Sequence, residues 1–114
     1  MPKIMLLEDE PLIAMTTQQM LEDMGFADFD VFYRLDPAED AAEATSYDVA
    51  ILDVNVDRER TSLSLARRMK GKGTAILFAS GNSMDGSELA EIARATIEKP
   101  YGEADIRSAL GKLP

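Results

Sequence analysis

The sequence predicts an α/β domain: a doubly wound, five-stranded parallel sheet with helices on both faces. Two observations lead there. Apolar runs of strand length alternate with segments of helical period, which is the pattern of βαβ units. Runs such as Ile4 to Leu7 and Ala75 to Ala79 carry almost no polar alternation, as expected of strands covered by helices on both sides. A chain of 114 residues fills one core, so residues 1–114 are read as one domain.

The elements follow in order. Ile4-Met5-Leu6-Leu7 is the first strand. Pro11 falls in the first turn of a helix, where its missing N–H costs nothing. Ile13, Met20 and Met24 then recur at about helical spacing, and Gly25 stops the helix. Phe29 to Phe32 is a weaker strand with acidic residues interleaved, which suits the sheet margin. Asp36-Pro37-Ala38-Glu39 predicts a helix capped by Asp36, with Pro at its first position, running to about Ser46. Val49 to Leu52 is the third strand and ends at Asp53. The stretch from Asp57 to Ser62 reads as a loop. Leu65, Ala66 and Met69 mark a third helix, whose end carries Arg67, Arg68, Lys70 and Lys72, and Gly71 and Gly73 close it. Ala75 to Ala79 is the fourth strand, and Gly81 to Gly86 is a loop. Leu89, Ile92 and Ala93 predict a short fourth helix. Ala95 to Glu98 is the last strand, and Ile106, Leu110 and Leu113 give the last helix its apolar stripe.

Composition narrows the chemistry. Apolar residues make up 46% of the chain and charged residues 29%, and no apolar run nears the roughly 18 residues of a membrane span. Twelve Lys and Arg against 21 Asp and Glu leave a net charge of −9, a field that repels nucleic-acid backbones and makes direct DNA binding unexpected. With no Cys and no His, the chain has no disulfide, no thiolate nucleophile, no imidazole base and no typical zinc site. The N-terminus lacks the pattern of a signal peptide, so a cytoplasmic setting is expected.

In open α/β sheets, ligands bind beyond the carboxyl ends of the strands, where strand order reverses. Past those ends stand Glu8-Asp9-Glu10, then Asp53 with Asn55, then Ser80, then Lys99-Pro100. Clustered carboxylates repel one another and need a cation, and a set of oxygen donors suits Mg²⁺. Such an ion holds phosphoryl oxygens, an ammonium opposite it takes another, and an Asp is a competent nucleophile toward phosphorus. Singly, each residue has a plainer explanation. Glu8, Asp9 and Glu10 suit a helix N-terminus, Asp53 and Ser80 suit turns, Lys99 suits the surface, and Tyr101 suits packing on the last helix. Their joint placement at separate strand ends is what favours a site.

These residues, in this order and at these strand ends, resemble the receiver domains of two-component response regulators, the CheY-like group. The resemblance spans the whole chain. It is carried by Leu6-Leu7-Glu8-Asp9-Glu10-Pro11, Ile51-Leu52-Asp53-Val54-Asn55, Phe78-Ala79-Ser80-Gly81 and Lys99-Pro100. It implies a flavodoxin-like strand order 2-1-3-4-5 and makes Asp53 the phosphoacceptor. Asp9 would then be a direct Mg²⁺ ligand, Glu8 a partner through water, and Asn55 a ligand through its carbonyl. Asp53 would itself bind the metal, Ser80 would contact the phosphoryl group, and Lys99 would pair with Asp53 or its phosphate. The resemblance also implies a cis peptide before Pro100 and places Asn55 and Asn82 beside the site. Thr96 stands where the family usually has an aromatic residue, and the short segment between Ser80 and Lys99 implies a short or irregular fourth helix. Phe78-Ala79-Ser80-Gly81 is similar to a Phe-Ala-Thr-Gly signature common among α-proteobacterial regulators.

The function so implied is a stand-alone phosphoacceptor. A histidine kinase or a His-phosphotransfer protein would donate to Asp53 in a Mg²⁺-dependent step that the domain itself promotes, without turnover of a substrate. Output would pass to a downstream protein, with a phosphorylation-linked homodimer among the arrangements implied, or the chain would act as a phosphate sink. Two alternatives stand beside it. One is a binding module of the same fold that works without phosphorylation, suggested by Thr96. The other is a Mg²⁺-dependent phosphoryl-handling enzyme, because Glu8 with Asp53-Val54-Asn55 loosely matches a toprim-type acidic set.

Overall fold

The structure, a computed structural model, describes residues 2–56, 60–81 and 86–111. Strands β1 (Ile4–Leu7), β2 (Phe29–Phe32), β3 (Val49–Asp53), β6 (Ala75–Ser80) and β7 (Ala95–Glu98) form one sheet in the order β2-β1-β3-β6-β7. Every pairing within it is parallel. Counted among themselves, these strands follow the expected order 2-1-3-4-5. Two short strands, β4 (Asn55–Val56) and β5 (Arg60–Thr61), form a separate antiparallel ribbon. Of that ribbon, β5 stands within the stretch 57–62 expected as a loop and β4 precedes it; residues 57–59 lie outside the described residues.

Successive residues of a strand face opposite sides of the sheet, and here each side has its own core. Met5, Leu7, Ala50, Leu52, Ile76 and Phe78 pack beneath α2 (Leu35–Ala44), α3 (Leu63–Gly71) and α4 (Gly86–Ile92). Ile4, Leu6, Val49, Ile51, Leu77, Ala79 and Ile97 pack beneath α1 (Pro11–Asp23) and α5 (Glu103–Leu110). The central strands β1 and β3 are buried along their whole length, which is why they read as unbroken apolar runs.

Local signals placed most helix ends well. Pro11 opens α1 and Gly25 follows it at φ +95°, a left-handed conformation that glycine adopts without strain. The start of α2 is a correction. The helix begins at Leu35, with Arg34 rather than Asp36 at its cap, and ends at Ala44. Leu35 is buried in the core, and winding it into the first turn outweighs the local cap signal. Asp36 still lies in that first turn, where its charge favours the helix dipole. The short α4 matches expectation, whereas Leu113 lies outside the described residues. No helix among the described residues is long and apolar enough to cross a membrane.

Candidate functional site

The order β2-β1-β3 marks the place where the chain reverses its direction of travel across the sheet. Ligand sites of such sheets open at that point, beyond the carboxyl ends. Glu8 follows β1 and Asp53 ends β3, so the two carboxylates are delivered by neighbouring central strands. Both are buried, whereas Asp9 is exposed at the mouth. One oxygen from each of Glu8, Asp9 and Asp53 lies within 4.8 Å of the others. Lys99, just past β7, closes the group: its Nζ is 2.6 Å from Glu8 Oε1 and 3.2 Å from Asp53 Oδ2. The Lys99-Pro100 peptide is cis, as the resemblance implied.

Burial pushes the Asp53 carboxyl up to about 7, the Glu8 charge adds to the rise, and Lys99 opposes both. For Lys99, burial works against the ammonium. The hydrogen bond to Glu8 and the charges of Asp53 and Glu8 outweigh it, and the group titrates above its ordinary value. An acid held partly protonated beside another acid is a pocket short of positive charge. Three carboxylates that converge on one small volume, two of them buried, fit a hard divalent cation with oxygen donors such as Mg²⁺. Helix capping does not account for them. Glu10 occupies the N-cap of α1 without a side-chain cap bond, and the Glu8 carboxylate accepts the Glu10 N–H at 3.1 Å while it faces Lys99.

The remaining candidates fall around this group. Ser80 is buried at the end of β6, one residue beyond the pairing of Asp53 with Ala79, and its carbonyl accepts the Lys99 N–H at 2.7 Å. Asn55 lies in β4, two residues past Asp53, exposed and paired with Thr61. Thr96 is exposed on β7, and Asn82 lies outside the described residues.

Two supports went unnoticed in the sequence. Ser62 is fully buried; its hydroxyl donates to the Asp53 carbonyl at 2.7 Å and its N–H to the Val54 carbonyl at 2.9 Å. No local pattern marks a serine whose partner lies nine residues away. Tyr101, expected against the last helix, does pack into the core shared by α1 and α5. Its hydroxyl, however, meets Thr17 of α1 at 2.7 Å, and burial raises its pKa.

Comparison with known proteins gives this arrangement relatives. The sequence matches the family of response regulator receiver domains over residues 4–111. No curated protein sequence matches it. Among solved structures, a CheY-like response regulator receiver domain from Methylobacillus flagellatus is similar at TM-score 0.86 and 25% identity, covering 97% of each chain. A CheY-like receiver domain protein from Methanospirillum hungatei JF-1 superposes at TM-score 0.85 and 18% identity, over 98% of this chain and 92% of its own. A response regulator from Burkholderia pseudomallei, solved with a phosphorylated aspartic acid, a calcium ion and citrate, matches at TM-score 0.83 and 21% identity, over 96% of this chain and 66% of its own.

Proposed function

The chain belongs to the response regulator receiver domain family, and from that premise we propose that it is a phosphoacceptor whose reactive group is Asp53. The observation that carries the proposal is the meeting of Glu8, Asp9 and Asp53 with Lys99 at the carboxyl ends of β1, β3 and β7. Receiver domains are phosphoacceptors in general, rather than turnover enzymes.

In this reading Glu8, Asp9 and Asp53, with the carbonyl of Asn55, hold Mg²⁺. The ion supplies charge neutralisation for a phosphoryl group in transfer. An Asp53 carboxylate oxygen attacks the phosphorus of a phosphohistidine on a histidine kinase or His-phosphotransfer protein. The P–N bond breaks, the P–O bond forms, and the imidazole leaves with the electron pair. Lys99 leaves its contact with Glu8 and pairs with a phosphoryl oxygen, and Ser80 donates its hydroxyl to another. A cation held there would favour the ionised form of Asp53, the form that can attack phosphorus. The aspartyl phosphate found in the Burkholderia pseudomallei regulator is the product this chemistry would leave on Asp53. Residues 1–114 acting as a single domain, signalling to a downstream protein or draining phosphate, is the arrangement that goes with it.

The test is incubation with acetyl phosphate or a phosphorylated histidine kinase, with and without Mg²⁺, followed by mass spectrometry. A hydroxylamine-labile adduct that needs Mg²⁺ and is lost in Asp53→Asn is expected. Labelling that survives Asp53→Asn removes Asp53 from the role. A fully unlabelled native protein points instead to a module that binds its partner without phosphorylation.

A further inference from the structure

Glu8 and Lys99 are in contact, yet the strands that deliver them are not neighbours: β3 and β6 lie between β1 and β7. Backbone pairing therefore relates Glu8 to Lys99 only through two intervening strands. A more direct tie joins the segments that follow. Thr17 sits on α1, the helix entered from Glu8-Asp9-Glu10, and is buried. Its hydroxyl donates to the Ile13 carbonyl at 2.9 Å. A hydroxyl has one proton, so in the 2.7 Å contact with Tyr101 it is the phenol that donates and Thr17 that accepts. The chain Tyr101 to Thr17 to Ile13 thus fastens the turn after Lys99 onto α1. It borders a pocket of about 250 Å³ lined by Leu12, Ile13, Met20, Lys99 and Pro100 among others. In this mostly apolar setting an unpaired hydroxyl is costly, which favours a single geometry.

We propose that Tyr101 and Thr17 are positioning residues for Lys99: their hydrogen bond fixes the turn 99–102 against α1 and so aims the ammonium into the acid pocket. Neither residue touches the reacting atoms. The inference rests on the phosphoacceptor reading for its kinetic consequence, but the aim of Lys99 is itself measurable. Positioning of this kind acts on rate, because a reacting or stabilising group displaced by a fraction of an ångström loses much of its effect.

The experiment compares the native protein with Tyr101→Phe, Thr17→Val, Thr17→Ser and the double variant Tyr101→Phe/Thr17→Val. Two quantities are followed: Asp53 labelling by acetyl phosphate at saturating Mg²⁺, and trace acetylation of Lys99 relative to Lys3, mapped by mass spectrometry. Tyr101→Phe and Thr17→Val are expected to slow labelling roughly three- to tenfold and to raise Lys99 reactivity several-fold, with Mg²⁺ affinity unchanged or raised. Thr17→Ser, which keeps the hydroxyl, recovers most of the rate lost in Thr17→Val, and the double variant is no slower than either single one, as for two halves of one contact. Unchanged Lys99 reactivity in Tyr101→Phe overturns the proposal, whatever happens to the rate or to thermal stability. A native protein that takes no phosphoryl group overturns the phosphoacceptor reading alone, and the acetylation ratio still decides the fate of the latch.

Discussion

Lys99 lies between two carboxylates and is drawn closer to Glu8 than to Asp53, 2.6 Å against 3.2 Å. It thereby supplies the positive charge that a metal ion would otherwise bring, and a bound metal would compete with it for the same oxygens. Removing the ammonium in Lys99→Ala takes a like charge away from an incoming divalent cation. Mg²⁺ affinity, followed by calorimetric titration, is expected to hold or rise, by roughly two- to tenfold at the effective dielectric of a partly buried site. Phosphoryl transfer to Asp53 in the same variant is expected to slow, because an oxygen of the transferring group loses its partner. Clearly weaker Mg²⁺ binding would contradict the placement of Lys99 as a rival of the metal. The arrival of Asp53, Glu8 and Lys99 together was legible in the sequence because each follows an apolar run whose strand identity was plain. The Tyr101–Thr17 contact was not, since the two residues are 84 positions apart and share no periodicity.

Among the elements, the segment after β3 shows how a strand end is kept in place. The strand ends at Asp53, and Ser62 serves the carbonyls of Asp53 and Val54, with its hydroxyl and its N–H. Ser62→Ala leaves the Asp53 carbonyl without that donor at a fully buried position. A loss of about 1–3 kcal/mol in urea unfolding is expected, together with slower labelling of Asp53. Unaltered stability would show that another donor takes over. The neighbouring ribbon, β4 with β5, is not legible in the sequence, because strands of two residues are too short to display a period. The start of α2 went astray for the opposite reason. Asp36-Pro37 is a strong local signal, but the burial of Leu35 acts across the core and moves the helix start two residues earlier. Pro37 remains harmless there, since N–H groups of the first turn have no intrahelical partner. The long buried strands were legible because both faces of β1 and β3 meet apolar layers, which writes the fold directly into consecutive residues.

For the molecule as a whole, the buried acid pocket makes stability depend on pH and on metal together. The folded pKa of Asp53, about 7, lies above its ordinary 3.8. Between those values the folded chain holds a proton that the unfolded chain has released. The contribution of Asp53 is therefore most favourable below about pH 4 and is lost as pH rises toward 7. In metal-free protein, the melting temperature of the native chain relative to Asp53→Asn is expected to fall across that window. Millimolar Mg²⁺ should flatten the difference, because an ion bound only by the folded state adds stability by mass action. A pH-independent difference would show that Asp53 does not feel its neighbours. The net charge of −9 works in the same direction, drawing cations toward the molecule at low ionic strength.

The strand order gives this site an uneven mechanical character. Glu8 and Asp53 are rooted in β1 and β3, each flanked by a strand on either side, whereas Lys99 is rooted in β7, at the margin of the sheet. Marginal strands open to solvent more readily than central ones. The anionic half of the pocket thus rests on strands paired along both sides and its counter-charge on a strand paired along one. Brief fraying at the rim would lift the ammonium away and leave two facing carboxylates bare, a moment in which a hydrated cation could slip in without first having to prise a salt bridge apart.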